Sequence, residues 1–323
     1  MLLNNKDWGD TYKLQIQDML ERGVARHVSS EELAAYKGTV NYLPHLAVKN
    51  PKSESTPVRI VFDASRPQGG GPSLNTILAK GPDRFLNNLA EVIIRFRNGV
   101  WAVKGDVKKM YNCVALEPED CYVQCFLWRD LDCTREPETF QVIVNNIGVK
   151  PAGCIATLAF YGSADHFKEQ FPVTSDQLKK NSYVDDIGLT GRTREEIQCR
   201  TEEADTILAH AGMRVKQWVF SGDVADNMEL GDIVENLPLE DSSTKRLLGV
   251  IWDPNMDVFR FSVRINLSPL KKKMRTGCDL SKQDLVQNPP KVISRRQYYS
   301  QVQSLFDPLG FLSLVLLTAK ILF

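Results

Sequence analysis

Tyr183-Val184-Asp185-Asp186 sets two adjacent carboxylates between short apolar stretches. A third acid, Asp106, closes the apolar run Val100-Trp101-Ala102-Val103-Lys104-Gly105 far upstream, and Tyr111 follows it by five positions. An acid on one strand and an acid pair on a hairpin are the minimum equipment for holding two Mg²⁺ ions around a nucleoside triphosphate. Mg²⁺ is a hard cation that takes oxygen ligands in near-octahedral geometry, usually carboxylates together with phosphate and water. Two such ions about 3.5–4 Å apart hold the attacking and leaving oxygens of a phosphoryl transfer in line. Crowded acids raise one another's pKa, so such a site is expected to be loose without cations. An isolated Asp-Asp pair is equally a turn signal, and it is the ordered set that points to metal chemistry.

The elements that must position these acids are readable from periodicity. A helix is expected from about Thr11 to Gly23, with Leu14, Ile16 and Leu20 apolar. A polar turn at Pro51–Pro57 leads into a strand over Val58–Asp63. Gly69-Gly70-Gly71-Pro72 is a loop without the Lys-Ser/Thr ending of a phosphate-binding loop. An amphipathic helix over Phe85–Phe96 precedes the strand that ends at Asp106. Strands are expected over Tyr122–Trp128 and Phe140–Val144, a helix over Cys154–Phe167, and a tight hairpin over Tyr183–Thr190 with the acid pair at its tip. Thr193 and Glu196 form a capping-box pattern that starts a helix running to Gly212. Val215–Phe220 is strand-like. Leu247–Trp252 and Val258–Val263 read as a hairpin across Asp253-Pro254-Asn255. Ser294 caps a last set of helices, broken by Asp307-Pro308-Leu309-Gly310. The middle of the chain thus suits an α+β fold, an antiparallel sheet backed by two helices.

Composition is that of an ordinary globular protein. Forty basic and forty acidic side chains cancel over 323 residues. Overall charge therefore announces no nucleic-acid partner, which would need basic residues gathered on one face. Candidate groups are Lys104, Lys108 and Lys109; Lys179 and Lys180; Lys271, Lys272, Lys273 and Arg275; and Arg295 and Arg296, each of which alone is more simply a solvated surface. Seven cysteines without a signal peptide fit reduced thiols, hence a cytoplasmic or nuclear rather than secreted protein. Cys113, Cys121, Cys125 and Cys133 lack the spacing of a zinc site. The most apolar stretch, Phe311–Phe323, is too short to span a bilayer and carries Lys320, so no membrane partner is expected.

The ordered motifs resemble the reverse transcriptase of long-terminal-repeat retroelements, specifically the BEL/Pao type. Val58-Arg59-Ile60-Val61-Phe62-Asp63-Ala64-Ser65 resembles the fingers strand of that family, and Gly105-Asp106-Val107-Lys108-Lys109-Met110-Tyr111 its first catalytic motif. Tyr183-Val184-Asp185-Asp186 matches Tyr-x-Asp-Asp, and Leu247-Leu248-Gly249-Val250-Ile251-Trp252 resembles the primer grip, centred on Leu248 and Gly249. Ser304-Leu305-Phe306-Asp307-Pro308-Leu309-Gly310-Phe311-Leu312-Ser313 is similar to the family's thumb signature, and Tyr42-Leu43-Pro44-His45 and Ser73-Leu74-Asn75 also fit it.

The resemblance implies a right-hand polymerase: fingers over 1–80 and 117–147, palm over 81–116 and 148–252, and the end of the primer-grip hairpin with an incomplete thumb over 253–323. It implies an RNA-directed DNA polymerase that adds dNTPs to a primer on an RNA or DNA template, using two Mg²⁺ ions or Mn²⁺ in their place. Asp106, Asp185 and the backbone carbonyl of Val107 would be metal ligands, with Asp186 the third catalytic acid. Arg59 would grip the triphosphate, with Lys49 adding charge. Tyr111 would lie under the sugar and exclude a 2′-hydroxyl. Gly148 is the residue of Asn146-Ile147-Gly148-Val149-Lys150-Pro151 that carries over from the template-side loop, and Leu314 stands where the family usually has proline. Lys216 is a candidate for the lysine that protonates pyrophosphate. The resemblance further implies a piece of a longer polyprotein with protease, RNase H and integrase, or a short gene left from an element. The alternative from a different class is a catalytically silent remnant that keeps the fold and binds RNA or DNA. A metal-dependent hydrolase built on the same acids lacks a separate general base.

Overall fold

The computed structural model describes residues 5–49, 58–67, 69–82, 85–222, 245–261, 265–271, 274–275 and 277–322. The expected turn at 51–57, the far end of the strand expected over 258–263, and Lys272 and Lys273 lie outside them. In chain order the elements begin with α1 (Lys6–Glu21), β1 (Ala25–Val28), α2 (Ser30–Ala35), β2 (His45–Lys49), β3 (Val58–Phe62), α3 (Leu74–Ile77), α4 (Leu89–Arg95) and β4 (Trp101–Asp106). There follow α5 (Pro118–Cys121), β5 (Cys125–Trp128), β6 (Glu138–Val142), α6 (Ala152–His166), α7 (Pro172–Lys180), β7 (Ser182–Tyr183), β8 (Asp186–Gly191), α8 (Arg194–His210) and β9 (Val219–Phe220). The last are β10 (Lys245–Leu247), β11 (Val250–Asp253), β12 (Val258–Arg260), β13 (Leu270–Lys271), β14 (Met274–Arg275), α9 (Lys282–Gln287), α10 (Arg295–Gln303) and α11 (Ser313–Ile321). The fold is α+β, with small antiparallel sheets and helices, and one sheet has the order β7-β8-β4-β9. Among the described residues no helix is long and apolar enough to cross a membrane. All seven cysteines are free.

The chain divides into two compact units, residues 1–87, 106–187 and 199–216 in the first and 88–105, 188–198 and 217–323 in the second. The first joins the segments expected as fingers to much of the expected palm. Its core gathers Tyr12 and Ile16 of α1, Val58 and Phe62 of β3, Phe126 of β5, and Phe140 and Val142 of β6. Helix α1 starts at Lys6, earlier than its apolar stripe implies, because the Asn5 side chain accepts from the Trp8 N–H at 3.2 Å. Strand β3 pairs with β2 from Val58↔Lys49 to Phe62↔His45. Its two-residue period sends Val58 and Phe62 into the core and leaves Arg59 exposed. Residues 122–124, expected as strand, form a 3₁₀ turn, and pairing with β6 starts only at Cys125.

His45 sits in this core among the rings of Tyr12, Phe62, Phe126 and Trp128. Its Nε2 lies 2.9 Å from the Leu127 carbonyl, to which it donates, which leaves Nδ1 to accept from the Tyr12 hydroxyl at 2.5 Å. Burial lowers the pKa of this imidazole below the usual histidine value, and the Leu127 carbonyl offsets only part of that. The unfolded chain therefore binds the extra proton more readily. His45 contributes stability that is full above the unfolded pKa, about 6.5, and lost as pH falls through the lower folded pKa. Denaturant melts from pH 7.5 to 5 are expected to show falling stability, with part of that slope removed in His45→Gln. Equal slopes in the two proteins would contradict this role.

In the second unit, α4 starts at Leu89 rather than Phe85, because Asn88 caps it and accepts from Ala90 and Glu91. The stretch 247–252, expected as one strand, is broken by a tight turn. Leu247 pairs with Val250, and Leu248 (φ 54°) and Gly249 (φ 86°) make the two-residue connection. Two consecutive positive φ values match the twist of a hairpin. A Cβ on Gly249 would stand 2.9 Å from the Phe306 ring. The turn is thus seated on the Phe306-Asp307-Pro308-Leu309-Gly310 segment. That segment is held by Asp307, whose carboxylate accepts from the Phe311 and Leu312 N–H groups at 3.0 and 2.7 Å ahead of α11.

Candidate active site

Strand β4 ends at Asp106, and the next residue fixes the geometry of the acids. Lys216 N–H donates to the Asp106 carbonyl at 2.9 Å, and Lys108 N–H donates to the Arg214 carbonyl at 2.7 Å. These bonds flank an antiparallel bridge between Val107 and Val215. In that pattern the flanking residues make the hydrogen bonds and the bridged residue's own N–H and C=O face the other edge. There the Val107 N–H donates to the Asp185 carbonyl at 2.9 Å. The carbonyl of Val107 shares that edge of the strand with its N–H. Burial of Val107 and Met110, each 1 % exposed, pins the segment to the core at about 2 kcal/mol per side chain.

The hairpin pairs Tyr183 with Asp186, leaving Val184 and Asp185 as the two-residue turn. Asp185 therefore stands at the tip, while Asp186 is the first residue of β8. Val184 holds φ 56°, a conformation that costs a β-branched residue about 1–3 kcal/mol. Asn87 fastens the entry to the hairpin, its Nδ2 lying 2.8 Å from the Ser182 carbonyl and 2.7 Å from that of Lys179.

The Asp185 carboxyl is pushed above the usual carboxylate range. Burial is the largest cause; its own backbone N–H works against it; the charges of Asp106 and Asp186 add to it; and the Lys216 ammonium offsets part of it. The structure thus brings Asp106 and Asp186 within electrostatic reach of Asp185. Lys216 Nζ meets Asp106 Oδ1 at 2.5 Å. Tyr111 belongs to the same neighbourhood: burial and the Asp185 charge both raise its pKa. A Cβ on Gly153 would lie 3.8 Å from the Tyr111 hydroxyl, which places that hydroxyl at the first turn of α6. The 3₁₀ turn that carries Tyr111, Met110–Cys113, is anchored through Lys109, which pairs with Asp18 of α1 at 3.1 Å.

The donor set suits a hard divalent cation: the carboxylate oxygens of Asp106, Asp185 and Asp186, with the Val107 carbonyl on the same strand edge. Among the described residues, however, no three His, Cys, Asp or Glu side chains are gathered closely enough to enclose a metal ion as they stand. The acids converge without closing a coordination shell, and the cation seated on Asp106 is an ammonium.

Gly148 serves the site through the backbone. Its φ is 104°, and a Cβ there would fall 2.6 Å from the Phe62 carbonyl oxygen at the end of β3. Asn75 locks the same loop, with Nδ2 donating to the Gly148 carbonyl at 2.8 Å and Oδ1 accepting from the Lys150 N–H at 2.7 Å. Asn75 Nδ2 also lies 2.8 Å from Ser65 Oγ in the turn after β3. Beyond the family likeness of Ser73-Leu74-Asn75, a side-chain amide beside a turn is the sequence signal for this clamp. Arg59 is exposed on β3 opposite Val48, and Lys49 Nζ sits 5.1 Å from the Trp8 ring centroid. Leu248 and Gly249 form the β10–β11 turn of the second unit.

No protein-family model matches the chain, and no curated protein is significantly similar to it.

Proposed function

We propose that this chain is the core of an RNA-directed DNA polymerase of the BEL/Pao retroelement type, with the right-hand division into fingers, palm and thumb. The observation that carries the reading is the convergence of Asp106, Asp185 and Asp186, joined by the Val107 N–H bond to the Asp185 carbonyl. Asp106, Asp185 and the Val107 carbonyl would hold two Mg²⁺ ions, with Asp186 as the third acid and Mn²⁺ as a substitute metal. When bound, the ions supply charge stabilisation for attack of a primer 3′-hydroxyl on a dNTP and for departure of pyrophosphate. The protein's own contribution is placement. The Val184–Asp185 turn holds one carboxylate at the hairpin tip, and the Val107 bridge holds Asp106 beside it. Arg59 supplies a rigid, permanently charged fork for phosphate oxygens. The template and primer would be bound mainly through phosphates and helix shape.

The test is extension of a primed RNA or DNA template by the purified protein with dNTPs and Mg²⁺. Extension that depends on the metal supports the reading. Duplex binding that falls with salt but never yields extension favours the silent binding module.

Tyr111 carries a second expectation. Its ring would floor the sugar site beside Asp185, where a 2′-hydroxyl has no room. Steric selection of this kind is worth roughly 10- to 100-fold. Tyr111→Ala is expected to relax discrimination against ribonucleotides by about that factor, read as the ratio of rNTP to dNTP incorporation; unchanged discrimination would take Tyr111 out of the sugar site.

A further inference from the structure

Lys216 is tied to Asp106 twice. Its backbone N–H donates to the Asp106 carbonyl at 2.9 Å, and its Nζ donates to Asp106 Oδ1 at 2.5 Å. The first bond fixes the root of the lysine side chain in register with Asp106. The second delivers its charge to an oxygen that the polymerase reading assigns to a metal ion. An isolated ion pair this exposed, 52 % for the lysine side chain and 37 % for the aspartate, would ordinarily be worth little. This pair is not isolated, because Asp185 feels the charges of Asp106, Asp186 and Lys216 together. The Lys216 ammonium acts on both Asp106 and Asp185.

We propose that Lys216 is the resident counter-cation of the acid cluster, holding Asp106 in place when no metal is bound and leaving when one enters. This rests on the polymerase reading. Mg²⁺ binds carboxylate oxygen at about 2.0–2.1 Å and demands near-ideal geometry, so metal and ammonium cannot both take Oδ1 from the same direction. The exchange is cation for cation, and the exposed four-carbon stem of Lys216 lets its head swing into water at small cost. Lys216 is here a positioning residue, and its effect is on metal affinity before any nucleotide arrives. A lysine that only protonated pyrophosphate would leave that affinity unchanged.

The experiment is Mn²⁺ titration by calorimetry on the full chain without nucleotide, in wild type, Lys216→Met, Lys216→Arg and Asp185→Asn, with thermal melts in EDTA and in Mn²⁺. Removing a competing charge a few ångströms from the ion is expected to tighten Mn²⁺ binding roughly five- to tenfold in Lys216→Met. Lys216→Arg should stay near wild type. In EDTA, Lys216→Met should melt below wild type, and Mn²⁺ should raise its melting temperature more. Unchanged or weaker Mn²⁺ binding in Lys216→Met, with wild-type binding intact and lost in Asp185→Asn, overturns the role of Lys216 and leaves the polymerase reading standing. Absence of Mn²⁺ binding in both wild type and Lys216→Met overturns the two together.

Discussion

Asp185→Asn is expected to abolish primer extension while leaving the fold and duplex binding in place. The substitution keeps the shape of the side chain and removes the charge that would hold a metal ion at the hairpin tip. Loss of several kcal/mol of charge stabilisation corresponds to a fall of roughly 10³-fold or more in rate. Duplex affinity, set chiefly by phosphate contacts elsewhere, should change by less than about threefold. The stability effect has the opposite sign to an ordinary destabilising mutation. Burial and the neighbouring charges of Asp106 and Asp186 disfavour the ionised Asp185 carboxyl. A neutral amide escapes that cost, so in EDTA the variant should melt at or above the wild-type temperature. A sharp loss of stability together with loss of binding would instead mark Asp185 as a structural acid.

Gly148→Ala should produce the largest loss of stability. Two penalties coincide at this residue. Its φ of 104° is a backbone conformation that L-residues adopt at a cost, and the new methyl would meet the Phe62 carbonyl oxygen at 2.6 Å. The obstacle is backbone inside the β2–β3 hairpin, so it cannot rotate away as a side chain would. Relief requires moving the 148–150 loop, which breaks the Asn75 bonds to Gly148 and Lys150. The expected loss is about 2–4 kcal/mol of unfolding free energy, read from denaturant midpoints at constant slope. A change below about 0.5 kcal/mol would show that the loop is not held as described. The site is expected to suffer with it, because the same loop leads into α6, where the Tyr111 hydroxyl sits against Gly153.

The acid hairpin was legible because apolar strand residues flank a compact polar pair, although its turn is Val184–Asp185, one residue ahead of the acid pair, and Asp186 opens β8. The strand ending at Asp106 was legible for the same reason. Arg59 is exposed on β3, as strand alternation requires, but only the family resemblance drew attention to it. Other features resisted for physical reasons. The break at Leu248 was hidden because leucine is a poor signal for positive φ; only Gly249 beside it hinted at a turn, and the Phe306 ring that seats the turn is distant in sequence. Helix α7 went unread because Pro172 at its first turn resembles a terminator, although proline is well suited to that position. Residues 122–124 carry strand-like side chains, but Asn41 donates to the Tyr122 and Val123 carbonyls at 3.1 and 2.9 Å, and they coil into a 3₁₀ turn ahead of β5. The pairing of Lys216 with Asp106 depends on the Val107–Val215 bridge, a long-range register that no local pattern encodes.

The central claim is that Asp106, Asp185 and Asp186 meet around a pair of divalent ions. Anomalous diffraction from crystals soaked in Mn²⁺, with primed template and an incoming dNTP, tests it most directly. The account predicts Mn²⁺ peaks ligated by Asp106 and Asp185 with the Val107 carbonyl, and the Lys216 ammonium displaced from Asp106. Peaks elsewhere, or none while Lys216 remains on Asp106, would contradict it.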